Sequence, residues 1–380
     1  MTAHRTGVFT LSGYNQRAVI ALCRYCRSQQ LPLYVAARNA DDPIFLTQHA
    51  DRVFTTRQQS ALRVDELCGW IDRLRLEGGH ERILLAPSTE FFNRFVLLHR
   101  QSLAQVGGLV PLVDQMLYEA VSNKQAFGAM CRRHGIGLPL EYAEPPTDLP
   151  FVAKPISYAS AGGRQLKPHL ILAKDDWERF CAQEQPSDFY FQEFVHGQSI
   201  YLLMHLPAHG PALMFSQENL VQQAQGGSII LARRSDFHLS DEAQRYERML
   251  ITEGFRGLAM VEVRRSAQTG RCVMIEANPR MWGPIQLALD NGVDLFGALL
   301  EDQLGEAPEP AAPNSVSGEY YFWSGGLLPA SQPYAFHGYA PAHFMENYAR
   351  ITACDLFQRD DSLALYRHEL GHLCTCKPNS

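Results

Sequence analysis

The sequence predicts an α/β protein with a parallel sheet at its N-terminal end. Over residues 1–110 short apolar runs alternate with runs of helical period, the pattern of βαβ units. Further along, strand-like runs gather again and close on an apolar hairpin around SAQTG, residues 266–270. Apolar residues make up 46% of the 380 and charged residues 19%, which suits a globular chain with a sizeable core.

Each element has its own signal. GVFTLSG (7–13) reads as a strand running into a turn, and NQRAVIALCRYCRSQQ (15–30) as an amphipathic helix. LPLYVAA (31–37), DRVFTT (51–56) and RILLAPST (82–89) read as further strands. SALRVDELCGWIDRLRLEGG (60–79) reads as a helix with Ser60 as its cap and Gly78–Gly79 at its end. SGYNQR lacks the spaced glycines of a dinucleotide fingerprint, so no NAD site is expected. NKQAFGAMCRRHGIGLP (123–139) is a helix stopped by Gly and Pro, and EPPTDLP (144–150) a connector. PFVAKPI, FYFQEFV and SIYLLMHL follow as strands. IQLALDNGVDLFGALLEDQLG (285–305) is helical with a glycine break, and EAPEPAAPNS (306–315) has the composition of a linker. GEYYFWSGG (318–326) is the last strand candidate, and DLFQRDDSLALYRHELGHL (355–373) reads as a terminal helix.

Bulk properties exclude several functions. A net charge of −6 without any Lys/Arg block argues against nucleic-acid binding. No apolar run reaches membrane-spanning length and no signal-peptide core appears, so a cytoplasmic protein is expected. Nine scattered cysteines do not form a secreted disulfide framework. CRYC (Cys23 to Cys26) fits the C-x-x-C of redox or metal sites, but its apolar helical setting favours structural thiols. RHELGH (367–372) fits the H-E-x-x-H of zinc proteases. Only eight residues follow it, none a Glu or His for a third ligand, although Cys374 and Cys376 stand beside it. No catalytic zinc is expected there.

The chemistry concentrates in MVEV and MIEANPRMWG. Glu262 lies on one strand of the hairpin and Glu276 on the other, so antiparallel pairing can set them on one face. Asn278, two residues on, points the same way. Two carboxylates and an amide oxygen suit Mg²⁺, and Arg280 adds a charged fork for a phosphoryl or carboxylate group. Lys154 sits inside an apolar strand, where an ammonium wants an anionic partner. Gly162 and Gly163, in SYASAGGR, could bring backbone N–H groups to a phosphate, and Lys124 stands at a helix start.

In that order (SNK, VAKP with its small-residue loop, QEFVHG, VEV, IEANPR) the chain resembles the ATP-grasp superfamily of carboxylate–amine ligases over residues 110–300. The resemblance implies a Rossmann-like domain at 1–110, a two-subdomain ATP-grasp module at 111–305 and a small C-terminal extension at 306–380. It implies that Lys124 and Lys154 hold ATP phosphates. The backbone of Glu193 and Val195, with Gln192 nearby, would meet adenine. Glu262, Glu276 and Asn278 would hold Mg²⁺, and Arg280 would act on the acyl phosphate or the transferring phosphoryl. Where relatives carry an acid for the ribose hydroxyls, this chain has Gln198. The segment 226–228 (GGS), with Arg233 and Arg234, loosely matches a substrate-side loop. The implied substrates are a small carboxylate and an amine, with ATP going to ADP and phosphate, and a homodimer fits the family. Bicarbonate activation, as in biotin carboxylase-like or carbamoyl-phosphate-forming relatives, and a nucleotide-binding protein without catalysis are the rival readings.

Overall fold

The computed structural model describes residues 6–57, 61–305, 318–327 and 334–375, with side chains to residue 371. The first sheet contains β1 (Thr6–Leu11), β2 (Leu33–Ala37), β3 (Val53–Thr56), β4 (Arg82–Leu85) and β5 (Gly108–Leu109), all parallel, in the order β3-β2-β1-β4-β5. Strand order reverses direction between β1 and β4, which leaves a crevice at the carboxyl ends of those strands. The helix Gln16–Ser28 buries its apolar face, including Cys23 and Cys26, as its sequence period requires. The helix predicted from Ser60 begins instead at Val64, behind an Arg63 that makes no side-chain cap. Ser60 lies outside the described residues. The helix Glu90–Leu98, not anticipated from sequence, is capped by the Thr89 hydroxyl, which accepts from Phe92 N–H at 3.1 Å.

A small antiparallel sheet follows: β6 (Glu141–Tyr142), β7 (Phe151–Pro155), β8 (His169–Ile171) and β9 (Phe189–Glu193), in the order β6-β9-β7-β8. The helix Lys174–Gln183 covers it, with Phe180 against Phe151, Phe189 and Phe191.

The large sheet holds β10 (Gly197–Leu206), β11 (Leu213–Gln222), β12 (Ile229–Ser235), β13 (Gly257–Ser266), β14 (Cys272–Asn278), β15 (Tyr320–Phe322) and β16 (Ala335–Phe336). Its order is β14-β13-β10-β11-β12-β15, with β16 beside β11. The β13–β14 hairpin and the β10 strand are as read from sequence; β11 and β12 are not, because their polar residues mask the strand pattern. The glycine break falls at Gly292, φ +77°, between the helices Ile285–Asp290 and Leu295–Leu304. The linker at 306–315 lies outside the described residues. One core joins this sheet to the first: Val19, Ile20 and Leu84 pack in the same cluster as Tyr201, Leu203, Trp282 and Leu356.

The C-terminal segment is helical only from Leu363 to Thr375, not from Asp355. Residues before it serve as clamps. Asp355 accepts from Ser324 N–H at 2.7 Å and Phe357 N–H at 2.8 Å. Asp361 accepts from Arg24 at 2.7 and 2.9 Å and faces His49 Nε2 at 3.1 Å. Burial alone would raise the Asp361 carboxyl, but hydrogen bonds from His49 and Arg24 outweigh it and hold the group well below the carboxylate range.

Asp361→Ala strands the largely buried Arg24 charge, so unfolding free energy should drop by roughly 3 kcal/mol. Urea titration at neutral pH measures it. A depressed carboxyl contributes stability above its unfolded pKa of about 4, lost as pH falls below that value. The gap between wild type and variant should therefore shrink in acid.

Candidate active site

The site is built on a bulge. Glu262 pairs directly with Glu276 across β13 and β14, while the next pair is Val263 with Met274. Ile275 is the extra residue, out of the ladder. Its carbonyl accepts from Lys154 Nζ at 2.8 Å, so a lysine from the small sheet reaches into the large one. This is the partner of the buried ammonium: a backbone dipole, with carboxylates further off. Lys154 is 5% exposed. Burial, with Lys124 adding repulsion, lowers its pKa to about 8 against the pull of Glu276 and Glu262.

Lys124 opens the helix Lys124–Arg133, where Asn123 Oδ1 caps Ala126 N–H at 2.9 Å. Its ammonium pairs with Glu276 Oε2. Burial works against the Glu276 charge, but Lys124, Asn278 and Lys154 together hold the carboxyl down at about 2. Glu262 moves the other way. Burial lifts its pKa, with Glu276 adding, although Arg264 and a hydrogen bond from Ser199 Oγ at 3.1 Å oppose the rise. Asn278 Nδ2 donates to Glu276 Oε1 at 2.8 Å. Arg280 in turn donates from Nη2 to Asn278 Oδ1 at 3.2 Å and from Nη1 to Met281 O at 3.0 Å. Lys124, Glu276, Asn278 and Arg280 thus form one chain of contacts.

A cleft of about 180 Å³, open at its mouth, lies between the two antiparallel sheets. Lys124, Lys154, Gln192, Glu193, Val195, Glu262 and Glu276 line it. Gln192 is 4% exposed and its Oε1 has no hydrogen-bond partner. Glu193 N–H donates to Leu140 O at 2.8 Å. The Leu140 N–H, which would otherwise close that ladder on the Glu193 carbonyl, donates to the Glu193 carboxylate at 3.1 Å. The orphaned amide oxygen fits an N–H donor, and the facing carboxylates with two lysines fit a polyphosphate and a hard cation.

Other candidates are placed elsewhere. Gln198 is outside the cleft lining; it pairs with Arg265 across the ladder, and its Cγ approaches Gly338. Exposed Arg233 and Arg234 engage Glu218 at 2.7 Å and Asp236 at 3.6 Å. In the same segment Gly226 lines the cleft, and Ser228 Oγ accepts from Arg17 at 2.9 Å. SYASAGGR forms a small hairpin closed by Ala159 and Gln165. Tyr201, Gln222, Gln225 and Arg264 line the cleft without having been singled out. The period of two along β10 and β13 could have found Tyr201, which pairs with Glu262.

In the terminal helix, Glu369 is turned inward and accepts from Trp323 Nε1 at 3.1 Å. Burial, with Asp355 adding, raises it to about 7. The side chains of His372, Cys374 and Cys376 lie outside the described residues. Among the described residues no three His, Cys, Asp or Glu side chains gather as a metal group. No helix among them is long and apolar enough to cross a membrane. Cys23 and Cys26 are fully buried, and burial raises both thiols, Cys26 to about 12, as in inert core cysteines.

No protein-family model and no curated protein sequence matches the chain. Solved structures do. A Campylobacter jejuni biotin carboxylase, in a β-γ-ATP complex, aligns with TM-score 0.58 and 11% identity over 79% of this chain and 71% of that one. An N5-carboxyaminoimidazole ribonucleotide synthetase bound to ADP aligns with TM-score 0.56 and 13% identity, over 82% and 80%. A Rhizobium etli pyruvate carboxylase aligns with TM-score 0.57 and 17% identity over 81% of this chain, which spans only 29% of that longer one. The chain has the ATP-grasp fold, as the order of its motifs implies.

Gly197, the first residue of β10, has φ +144°, and a Cβ there would lie 2.0 Å from Arg265 O. Gly197→Ala must displace backbone. A loss of roughly 2 kcal/mol or more is expected in chemical denaturation.

Proposed function

We propose that the protein is an ATP-dependent ligase that joins a carboxylate to an amine through an acyl phosphate. One observation carries this reading: Glu262 and Glu276 face each other across one strand pair at the floor of a cleft into which two lysines from separate elements converge. The fold it shares with biotin carboxylases and the ribonucleotide synthetase supports it.

Lys154 and Lys124 would hold the phosphates, and Glu262, Glu276 and Asn278 would hold Mg²⁺. When bound, the cation neutralises charge on the phosphate oxygens. Without nucleotide, Lys124 and Glu276 neutralise each other, so phosphate and cation exchange partners with a pair already in place. Gln192 Oε1, the Glu193 carbonyl and the Val195 N–H would meet the base, and Gln198 would reach the ribose only if its side chain turned from Gly338. Arg280, steadied by Asn278, would offset charge on the phosphoryl as it passes to the carboxylate. With these groups at the terminal phosphates, the leaving group would be ADP and the activated species an acyl phosphate. An amine then displaces phosphate.

Glu276→Gln and Lys154→Ala should each cut turnover a hundredfold or more, about 3 kcal/mol of barrier, with circular dichroism unchanged. Carboxylic acids, bicarbonate included, are screened with amines for stimulated ADP release. AMP as the main nucleotide product would defeat the mechanism.

Nucleotide affinity should also depend on pH. Lys154 is cationic below about 8 and neutral above it in the free protein. A neighbouring phosphate favours the cation, so affinity for MgADP is full below that pH and declines as pH rises through it, toward tenfold per unit. Calorimetry between pH 7 and 9.5 reads this, and Lys154→Ala should flatten the profile.

A further inference from the structure

A second cluster of charge lies at the crevice of the first sheet, and the nucleotide cleft does not use it. Four connections meet there: the turn after β1 (Ser12 to Asn15), the residue after β2 (Arg38), the residue after β3 (Arg57) and the segment after β4 (Ser88). Arg57 is the unusual member. It is 6% exposed, yet Nε and Nη1 have no hydrogen-bond partner. Among the described residues only Nη2 is engaged, donating to Ser12 O at 3.3 Å. Its guanidinium carbon stands 5.5 Å from the centre of the Tyr14 ring, and that of Arg38 stands at the same distance. Tyr14 is therefore flanked by two cations. A buried guanidinium with unmet N–H groups is costly unless an anion or another acceptor completes it.

Among the described residues no acid completes it. Asp42 is the nearest candidate, but its carboxylate accepts from Ser12 Oγ at 2.7 Å, Ile44 N–H at 3.0 Å and Arg38 N–H at 2.7 Å. Glu66 acts on Arg57 only from a distance. The backbone adds to the positive field. The 13-residue helix Gln16–Ser28 begins at this turn, with no acidic residue in its first turn and no side-chain cap from Asn15. Asn15 is held in the left-handed region at φ 50°, ψ 43°. Its amide is committed elsewhere, donating to Ser88 O at 2.9 Å and Met281 O at 3.0 Å. That second bond ties the turn to the residue next to Arg280. The turn is also pressed onto Arg38: a Cβ on Gly13 would lie 2.3 Å from Arg38 Cβ.

We propose that the crevice at the ends of β1, β2 and β3, built from Arg57, Arg38 and the Ser12–Tyr14 turn, binds a carboxylate or phosphate group of a small-molecule ligand, with the Tyr14 ring beside it. On the ligase reading, this anionic group is the far end of a substrate whose reacting end lies at Arg280. The substrate class is then a carboxylic acid or an amine that carries a second negative charge, rather than a simple monocarboxylate or an uncharged amine.

The test uses the full chain saturated with MgADP and three probes at matched ionic strength: inorganic phosphate, succinate and acetate. Calorimetry should show phosphate or succinate binding better than acetate. The stronger of the two identifies the group as phosphate or carboxylate. Arg57→Gln should weaken that binding at least tenfold. Arg38→Gln, at an exposed position that leaves the core untouched, should weaken it several-fold. Dependence on the two arginines separates this site from the nucleotide phosphates, for which Lys124 and Lys154 line the cleft. Equal, weak binding of all three probes, or affinity indifferent to both arginines, overturns the proposal. Failure of MgADP to bind, with arginine-dependent anion binding intact, would defeat the ligase reading and leave this site standing.

Discussion

The contact between the Lys154 ammonium and the Ile275 carbonyl holds the candidate site together. It needs a bulge in β14 to free that carbonyl and a strand of the small sheet to deliver the lysine. It joins the two sheets at the floor of the cleft. It also fixes the charge balance. With Lys154 seated on a neutral dipole, its charge is only partly compensated, and burial lowers its pKa to about 8. Lys124 is left to pair with Glu276, and that pair lets one of two facing carboxylates stay ionised while the other is lifted. Like charges on directly opposed residues disfavour each other, so environments that pull their pKa values apart are what let the pair persist.

Much of this is legible in the sequence, and its limits have physical causes. The hairpin shows itself because both strands are apolar around a turn-forming loop, and period two places Glu262, Glu276 and Asn278 on one face. The bulge at Ile275 leaves no signature in residue type, so the partner of Lys154 cannot be foreseen. Strands β11 and β12 escape notice for a different reason. Gln217 and Asn219 are fully buried, with Gln217 Nε2 donating to Asn219 Oδ1 at 2.8 Å and Asn219 Nδ2 to Ser199 Oγ at 3.0 Å. A polar ladder inside a sheet looks like a loop when hydrophobicity is the guide. Ser199 continues that ladder to Glu262, so residues that hide the strand also support the carboxylate.

The C-terminal segment shows how a motif can be misleading. RHELGH satisfies a metal pattern, but Glu369 is spent on the Trp323 indole, and Arg17 lies 4.2 Å above that ring. Arg17 also donates to Ile229 O and the Tyr321 hydroxyl, both at 3.0 Å. A glutamate that a protease would direct at water instead closes a packed junction between the first helix, the large sheet and the terminal helix. Asp355 and Asp361 act similarly, spending carboxylates on backbone N–H groups and on Arg24. The segment from Asp355 to Glu369 works as a strap against the first helix and the large sheet, and Asp355, Asp361 and Glu369 serve it as structural acids.

The same reasoning separates structural from available charge elsewhere. Arg24 has Asp361, Arg359 has Asp290, and Arg233 has Glu218. Each of these guanidinium groups has a carboxylate within the chain. Arg57 is buried as deeply as any of them, but the neighbouring Asp42 carboxylate is consumed by hydroxyl and backbone donors. A left-handed Asn15, whose amide bridges Ser88 and Met281, holds the turn beside Arg57 in place. Strain kept at a strand end by contacts from two other segments is characteristic of a site shaped for a ligand. Two of the unsatisfied buried groups, Gln192 Oε1 in the cleft and the Arg57 guanidinium in the crevice, are of opposite chemical kind, one an acceptor and one a set of donors. A run of contacts from Asn15 through Met281 and Arg280 to Glu276 leads from the turn at the crevice to the carboxylate at the cleft floor.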